Sequence, residues 1–117
     1  MPGFPSPADD YLAGPLDLNT YLIKHPAATF LMRATEDSMV KAGIHPGDIL
    51  VVDRSLEPSH GRIVIAAVEG RLTVKRLQIG QNGLMLLAEN DAYSPIRVDK
   101  ENGVEIWGVV TNVIHPV

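Results

Sequence analysis

The stretch GRIVIAAVEGRLTVKRLQIGQNGLMLLA, residues 61–88, decides the fold. Three apolar, β-branched runs, Gly61 to Val68, Leu72 to Ile79 and Leu84 to Ala88, are separated by Glu69-Gly70 and Asn82-Gly83. Gly and Asn tolerate the positive φ angles that two-residue hairpins require, so the stretch predicts three antiparallel strands joined as a meander. Alternation along the second run places Thr73, Lys75, Leu77 and Ile79 on one face and Leu72, Val74, Arg76 and Gln78 on the other.

Working outward, Thr29 to Ala34, Asp48 to Asp53, Ile96 to Asp99 and Val104 to Ile114 have the same texture. Turn signals between them recur at the spacing of an all-β sandwich or barrel. In the last run strict alternation puts Val104, Ile106, Val110 and Ile114 on one face and Trp107, Val109 and Val113 on the other, the pattern of a central strand buried on both sides. Helical character is confined to Ser38 to Gly43, with Ser38 as candidate N-cap and Gly43 as stop, and to Leu16 to Lys24. His45-Pro46-Gly47-Asp48 reads as a type II turn. Residues 1–15, MPGFPSPADDYLAGP, are rich in Pro and Gly and predict an extended arm. Residues 16–117 are expected to form one mostly β domain of several short strands in twisted sheets, with one short helix carrying Ser38.

At 117 residues, 45% hydrophobic and 21% charged, the chain has the make-up of a single folded domain. No apolar run is long enough to span a bilayer and no export signal is evident, so a cytoplasmic location is expected, away from membranes. The absence of cysteine excludes disulfides, thiolate metal sites and a cysteine nucleophile. A net charge of −4, with no basic block, argues against direct nucleic-acid binding. His25, His45, His60 and His115 lack metal-site spacing, and no phosphate or dinucleotide loop is present, so neither metal nor cofactor is expected.

The constellation with chemical potential is Ser38, within Glu36-Asp37-Ser38-Met39, and Lys75. Taken singly, Ser38 reads as a cap and Lys75 as a solvated strand charge. Alternation, however, sets Lys75 among apolar neighbours, and a lysine removed from water loses its charged form more readily. A neutral amine can take the proton of a serine hydroxyl, as in serine-lysine variants of the catalytic triad. The backbone N–H groups of Asp37 and Ser38 are the candidate oxyanion donors.

These strings together resemble a known family. Gly3-Phe4-Pro5-Ser6-Pro7, Asp17-Leu18-Asn19, His25-Pro26, Asp37-Ser38-Met39, Gly47-Asp48, Ser59-His60-Gly61, Ile63 to Val68, Thr73-Val74-Lys75, Ala92-Tyr93-Ser94-Pro95-Ile96 and Gly108-Val109-Val110 occur in the order found in the UmuD and MucA mutagenesis subunits of the LexA-like, S24-type serine peptidases. The resemblance implies the LexA-like β fold, with Ser38 as nucleophile and Lys75 as general base of self-cleavage stimulated by a RecA filament on single-stranded DNA. It implies a homodimer that joins a UmuC-like polymerase in SOS translesion synthesis. Gly3 matches the residue after the family's scissile bond, so the chain resembles the processed form, UmuD′, with a full-length UmuD-like chain as a substrate in trans. Glu36 departs from the glycine usual before Asp-Ser-Met. Two other readings stand beside this one: the cleavage and dimerisation domain of a LexA-like or phage repressor, and a non-catalytic β module.

Overall fold

The computed structural model describes residues 14–99 and 101–117. All of the arm expected over residues 1–15 except its last two residues, Gly3 included, lies outside them. The strands in chain order are β1 Thr29–Arg33, β2 Ile49–Asp53, β3 Ile63–Val68, β4 Arg71–Gly80, β5 Gly83–Leu87, β6 Ile96–Val98 and β7 Glu105–Ile114, and β3, β4 and β5 are the predicted meander. Val68 pairs with Arg71, so Glu69 and Gly70 form a two-residue loop, with φ of 52° and 76°. Both central residues are left-handed, the geometry that matches the twist of the flanking strands.

The second hairpin differs from its expected form by one residue. Gly80 pairs with Gly83, so the loop is Gln81-Asn82 and the left-handed residue is Gly83, at φ 95°. That arrangement places the glycine as the bulge closing the turn rather than within it.

The strands form one curled antiparallel sheet in the order β1-β2-β7-β3-β4-β5-β6, with β7 between β2 and β3 as its sequence required. Successive residues Val64, Ile65 and Ala66 are all fully buried, which means both faces of the sheet are covered. Leu50, Val52, Ile65, Val74, Val110 and Met39 form one core; Val64, Ala66, Leu77, Leu86 and Val109 form the other.

Strict alternation fails in β7. Val110 packs with Trp107 and Val113, whereas Val109 packs with Val104 and Ile106. Two register shifts explain the exchange. Opposite β3, Ile65 pairs with Gly108 and Ala66 with Ile106, leaving Trp107 as an extra residue; opposite β2, Val51 pairs with Asn112 and Val52 with Val110, leaving Thr111. Each bulge moves the following residues to the opposite face. Gly108 is required here, because a Cβ would lie 2.7 Å from the Cγ1 of fully buried Val52.

Two loops then position the site. The only α-helix among the described residues, α1 at Leu18–Leu22, is capped by the Asp17 carboxylate, which accepts from the Asn19 and Thr20 N–H groups. The helical character expected over Ser38 to Gly43 is a single 3-10 turn, Val40–Ala42, ended by Gly43 at φ 85°. His45 to Asp48 forms the expected turn, with Gly47 at φ 95° and the Asp48 N–H donating to the His45 carbonyl. Gly108→Ala should lower stability by about 1–3 kcal/mol, because fully buried Val52 has no free space into which to retreat. Urea unfolding measures this, and a midpoint equal to that of the native chain would contradict the packing described.

Candidate active site

Ser38 reaches Lys75 because β5 stops short. β4 pairs with β5 only from Arg76 onward, so the edge of β4 that carries Val74 is free beside it. The turn around Ser38 occupies that place: the serine hydroxyl donates to the Val74 carbonyl at 3.3 Å. The residue flanking the Val40–Ala42 turn is Met39, without a side-chain cap, so Ser38 does not serve as the expected N-cap. Its hydroxyl is committed to β4.

Lys75 lies on the inner face of β4, directly opposite Val64 and two residues from Leu77, both fully buried. Its side chain is only 3% exposed. The amine donates to Ser38 Oγ at 3.1 Å and to Thr73 Oγ1 at 2.7 Å. Thr73 in turn donates to Glu36 Oε1 at 3.1 Å, and the other Glu36 oxygen stands 3.8 Å from the amine. Burial pushes the Lys75 amine below the ordinary lysine range, and the negative charge of Glu36 acts in the opposite direction. A solvated strand charge would have neither feature, so the bland reading of Lys75 does not describe this residue.

The loop between β5 and β6 fixes the serine turn from the other side. Tyr93 donates its hydroxyl to Asp37 Oδ1 at 2.6 Å, and Asn90 Nδ2 donates to the Asp37 carbonyl at 2.9 Å. The Tyr93 ring centroid lies 5.4 Å from the Lys75 amine, and accepting Asp37 holds the phenol above its usual pKa. Thr73 and Tyr93 occur in strings noted in the sequence, yet their place at the site was not anticipated. Thr73 was detectable as the same-face neighbour of Lys75, two residues away; the Tyr93 contact, across 56 positions of chain, carries no local signal. Among the described residues the backbone N–H groups of Asp37 and Ser38 donate to no other group. A groove of about 350 Å³ opens on the lysine side of the site, lined by Glu36, Thr73, Lys75, Tyr93, Ser94 and Ile96 among others.

A second cavity, of about 370 Å³, lies beside α1 and contains His25 and Asp53. His25 Nδ1 is 2.6 Å from Asp53, but the Ser55 hydroxyl donates to the same carboxylate and not to the imidazole. That trio is a bonded loop anchor rather than a serine triad. Of the remaining histidines, His60 accepts from the Ile79 N–H, while His45 and His115 meet over Asp48. The sequence spacing of the histidines gave no sign of that meeting.

The depressed basicity of Lys75 has a sign that stability reports. Because its pKa falls on folding, the unfolded chain binds the extra proton between the lowered value and about 10.4, so the residue's contribution rises with pH across that window. Stability of the native chain relative to Lys75→Met should therefore increase as pH is raised toward 10. In Glu36→Gln the rise should begin at lower pH, since the one opposing charge is gone. Paired urea titrations across pH check this, and a flat difference would contradict it.

Comparison with known families matches residues 2–111 to the Peptidase S24-like family. The chain is similar to Protein SamA of Salmonella typhimurium, 50% identical over 97% of this chain and 78% of that one. It is similar to Protein MucA of Escherichia coli, 45% identical over 98% of this chain and 80% of that one. A LexA repressor from Shewanella piezotolerans is 44% identical over 77% of this chain and 44% of its own length. The serine-containing turn, the buried lysine and the β scaffold that joins them thus sit within a matched span that covers nearly the whole chain, and the chain belongs to the Peptidase S24-like family, among its UmuD-like members.

Proposed function

We propose that this protein is a UmuD-like accessory subunit of an error-prone translesion DNA polymerase in the SOS response, built on a self-cleaving peptidase whose nucleophile is Ser38 and whose general base is Lys75. The observation that carries the reading is the 3.1 Å approach of the Lys75 amine to the Ser38 hydroxyl in a site where both side chains are buried. A neutral amine has two N–H donors and one lone pair. One donor is held by Thr73, and rotation of the serine O–H away from its long bond to Val74 would deliver the proton to the lone pair.

The hydroxyl oxygen then attacks the carbonyl carbon of a peptide bond lying in the adjacent groove. The oxyanion is received by the Asp37 and Ser38 N–H groups, and the lysine proton passes to the leaving amine. Water subsequently hydrolyses the acyl-serine with Lys75 again as base. The partners consistent with this reading are a second copy of the chain, a UmuC-like polymerase, a RecA filament on single-stranded DNA as the stimulus, and a full-length UmuD-like chain as substrate in trans. The repressor reading draws on the LexA relative; the fuller coverage by SamA and MucA favours the mutagenesis subunit.

Incubating the protein with RecA filaments and a full-length UmuD-like chain whose own nucleophilic serine has been replaced by alanine tests the assignment. Native protein should cleave the arm of the added chain, and Ser38→Ala should reduce the rate by about 10³-fold or more with its fold intact. Retained cleavage in that variant would sink the proposal. The rate of the native protein should climb about tenfold per pH unit below the Lys75 midpoint, because only the deprotonated amine accepts the serine proton. A rate indifferent to pH would exclude Lys75 as the base.

A further inference from the structure

The end of β7 and the entry to β2 meet by register: Ile49 pairs with Ile114, so Asp48 and His115 must follow side by side although 67 positions separate them. The tight turn before β2 then returns His45 to the same spot, with its backbone N–H donating to Asp48 Oδ2 at 2.8 Å. Asp48 is a buried carboxylate, its side chain 2% exposed, and both imidazoles face it. His115 Nδ1 lies 2.6 Å from Oδ1, His45 Nδ1 lies 3.8 Å from Oδ2, and the ring centroids are 5.0 Å apart. One donor atom from each of the three residues lies within 4.8 Å of the others.

We propose that His45, Asp48 and His115 form a binding site for a divalent transition metal of the zinc class, each residue supplying one donor atom. An ionised carboxylate only accepts, so the 2.6 Å contact of His115 Nδ1 with Asp48 Oδ1 is made through the imidazole N–H, and an arriving ion would take the place of that proton as it passes to Nε2. His45 Nδ1 faces the other carboxylate oxygen at 3.8 Å, beyond hydrogen-bonding distance, with its lone pair available to the ion. Both rings are about half exposed, so an ion from solution can reach them. Imidazole nitrogens suit zinc, copper and nickel, whereas magnesium and calcium require oxygen ligands.

The bound ion would fasten the last turn of the sheet, His115, to the loop that opens β2. Zn²⁺ alone, titrated into the full chain and followed by calorimetry and by the histidine ring signals in NMR, tests this. The expected result is one ion per chain, perturbation of His45 and His115 but not His60, and a rise in melting temperature. His45→Ala and His115→Ala, both at half-exposed positions, should each weaken binding by about tenfold or more, and Asp48→Asn likewise. His60→Ala should bind as the native chain does. Absence of any ring perturbation, equal affinity in the His45→Ala/His115→Ala double variant, or Mg²⁺ binding as tightly as Zn²⁺ would overturn the proposal.

Discussion

The structure depends on keeping one lysine amine dry. A buried lysine is costly unless it is hydrogen-bonded, and the cost falls on the charged form first. Here the amine is met by two hydroxyls, Ser38 and Thr73, and by one carboxylate at a distance, Glu36. Hydroxyls can serve the neutral amine as well as the ammonium, whereas a direct ion pair would have locked the residue in its charged state. The separation of Glu36 from the amine, 3.8 Å with Thr73 bonded to both, moderates its pull.

The scaffold meets this constraint by using both faces of one sheet. β3 and β4 bury residues on each side, so a lysine in the middle of β4 is surrounded by Val64, Ala66 and Leu77 without a separate domain to cover it. The shortness of β5 leaves one edge of β4 open for the serine turn, and the loop from Glu89 to Ser94 closes over that turn through Asn90 and Tyr93. The serine and the lysine are thereby held by separate elements, 37 positions apart, that share a single strand edge.

Much of this was legible before any coordinates. Glu69-Gly70 and the glycine at position 83 announced the meander, and all seven strands lie where the apolar runs are. The burial of Lys75 followed from period two alone. The faces of β7 were not legible, because the bulges at Trp107 and Thr111 arise from pairing with two different neighbours and leave no mark in the strand itself. The role of Ser38 as something other than a cap depended on where β5 ends. The meeting of His45 and His115 is a matter of register between distant strands, which residue spacing along a chain does not record.

The most direct measurement is the titration of the Lys75 side-chain amine itself, followed by NMR of its ε-carbon and ζ-nitrogen in the native chain. The account predicts a midpoint well below the roughly 10.4 of a free lysine, and a response of the Ser38 signals to the same step. A midpoint at the free value, with Ser38 insensitive to it, would contradict the claim that an uncharged amine meets the serine hydroxyl in this fold.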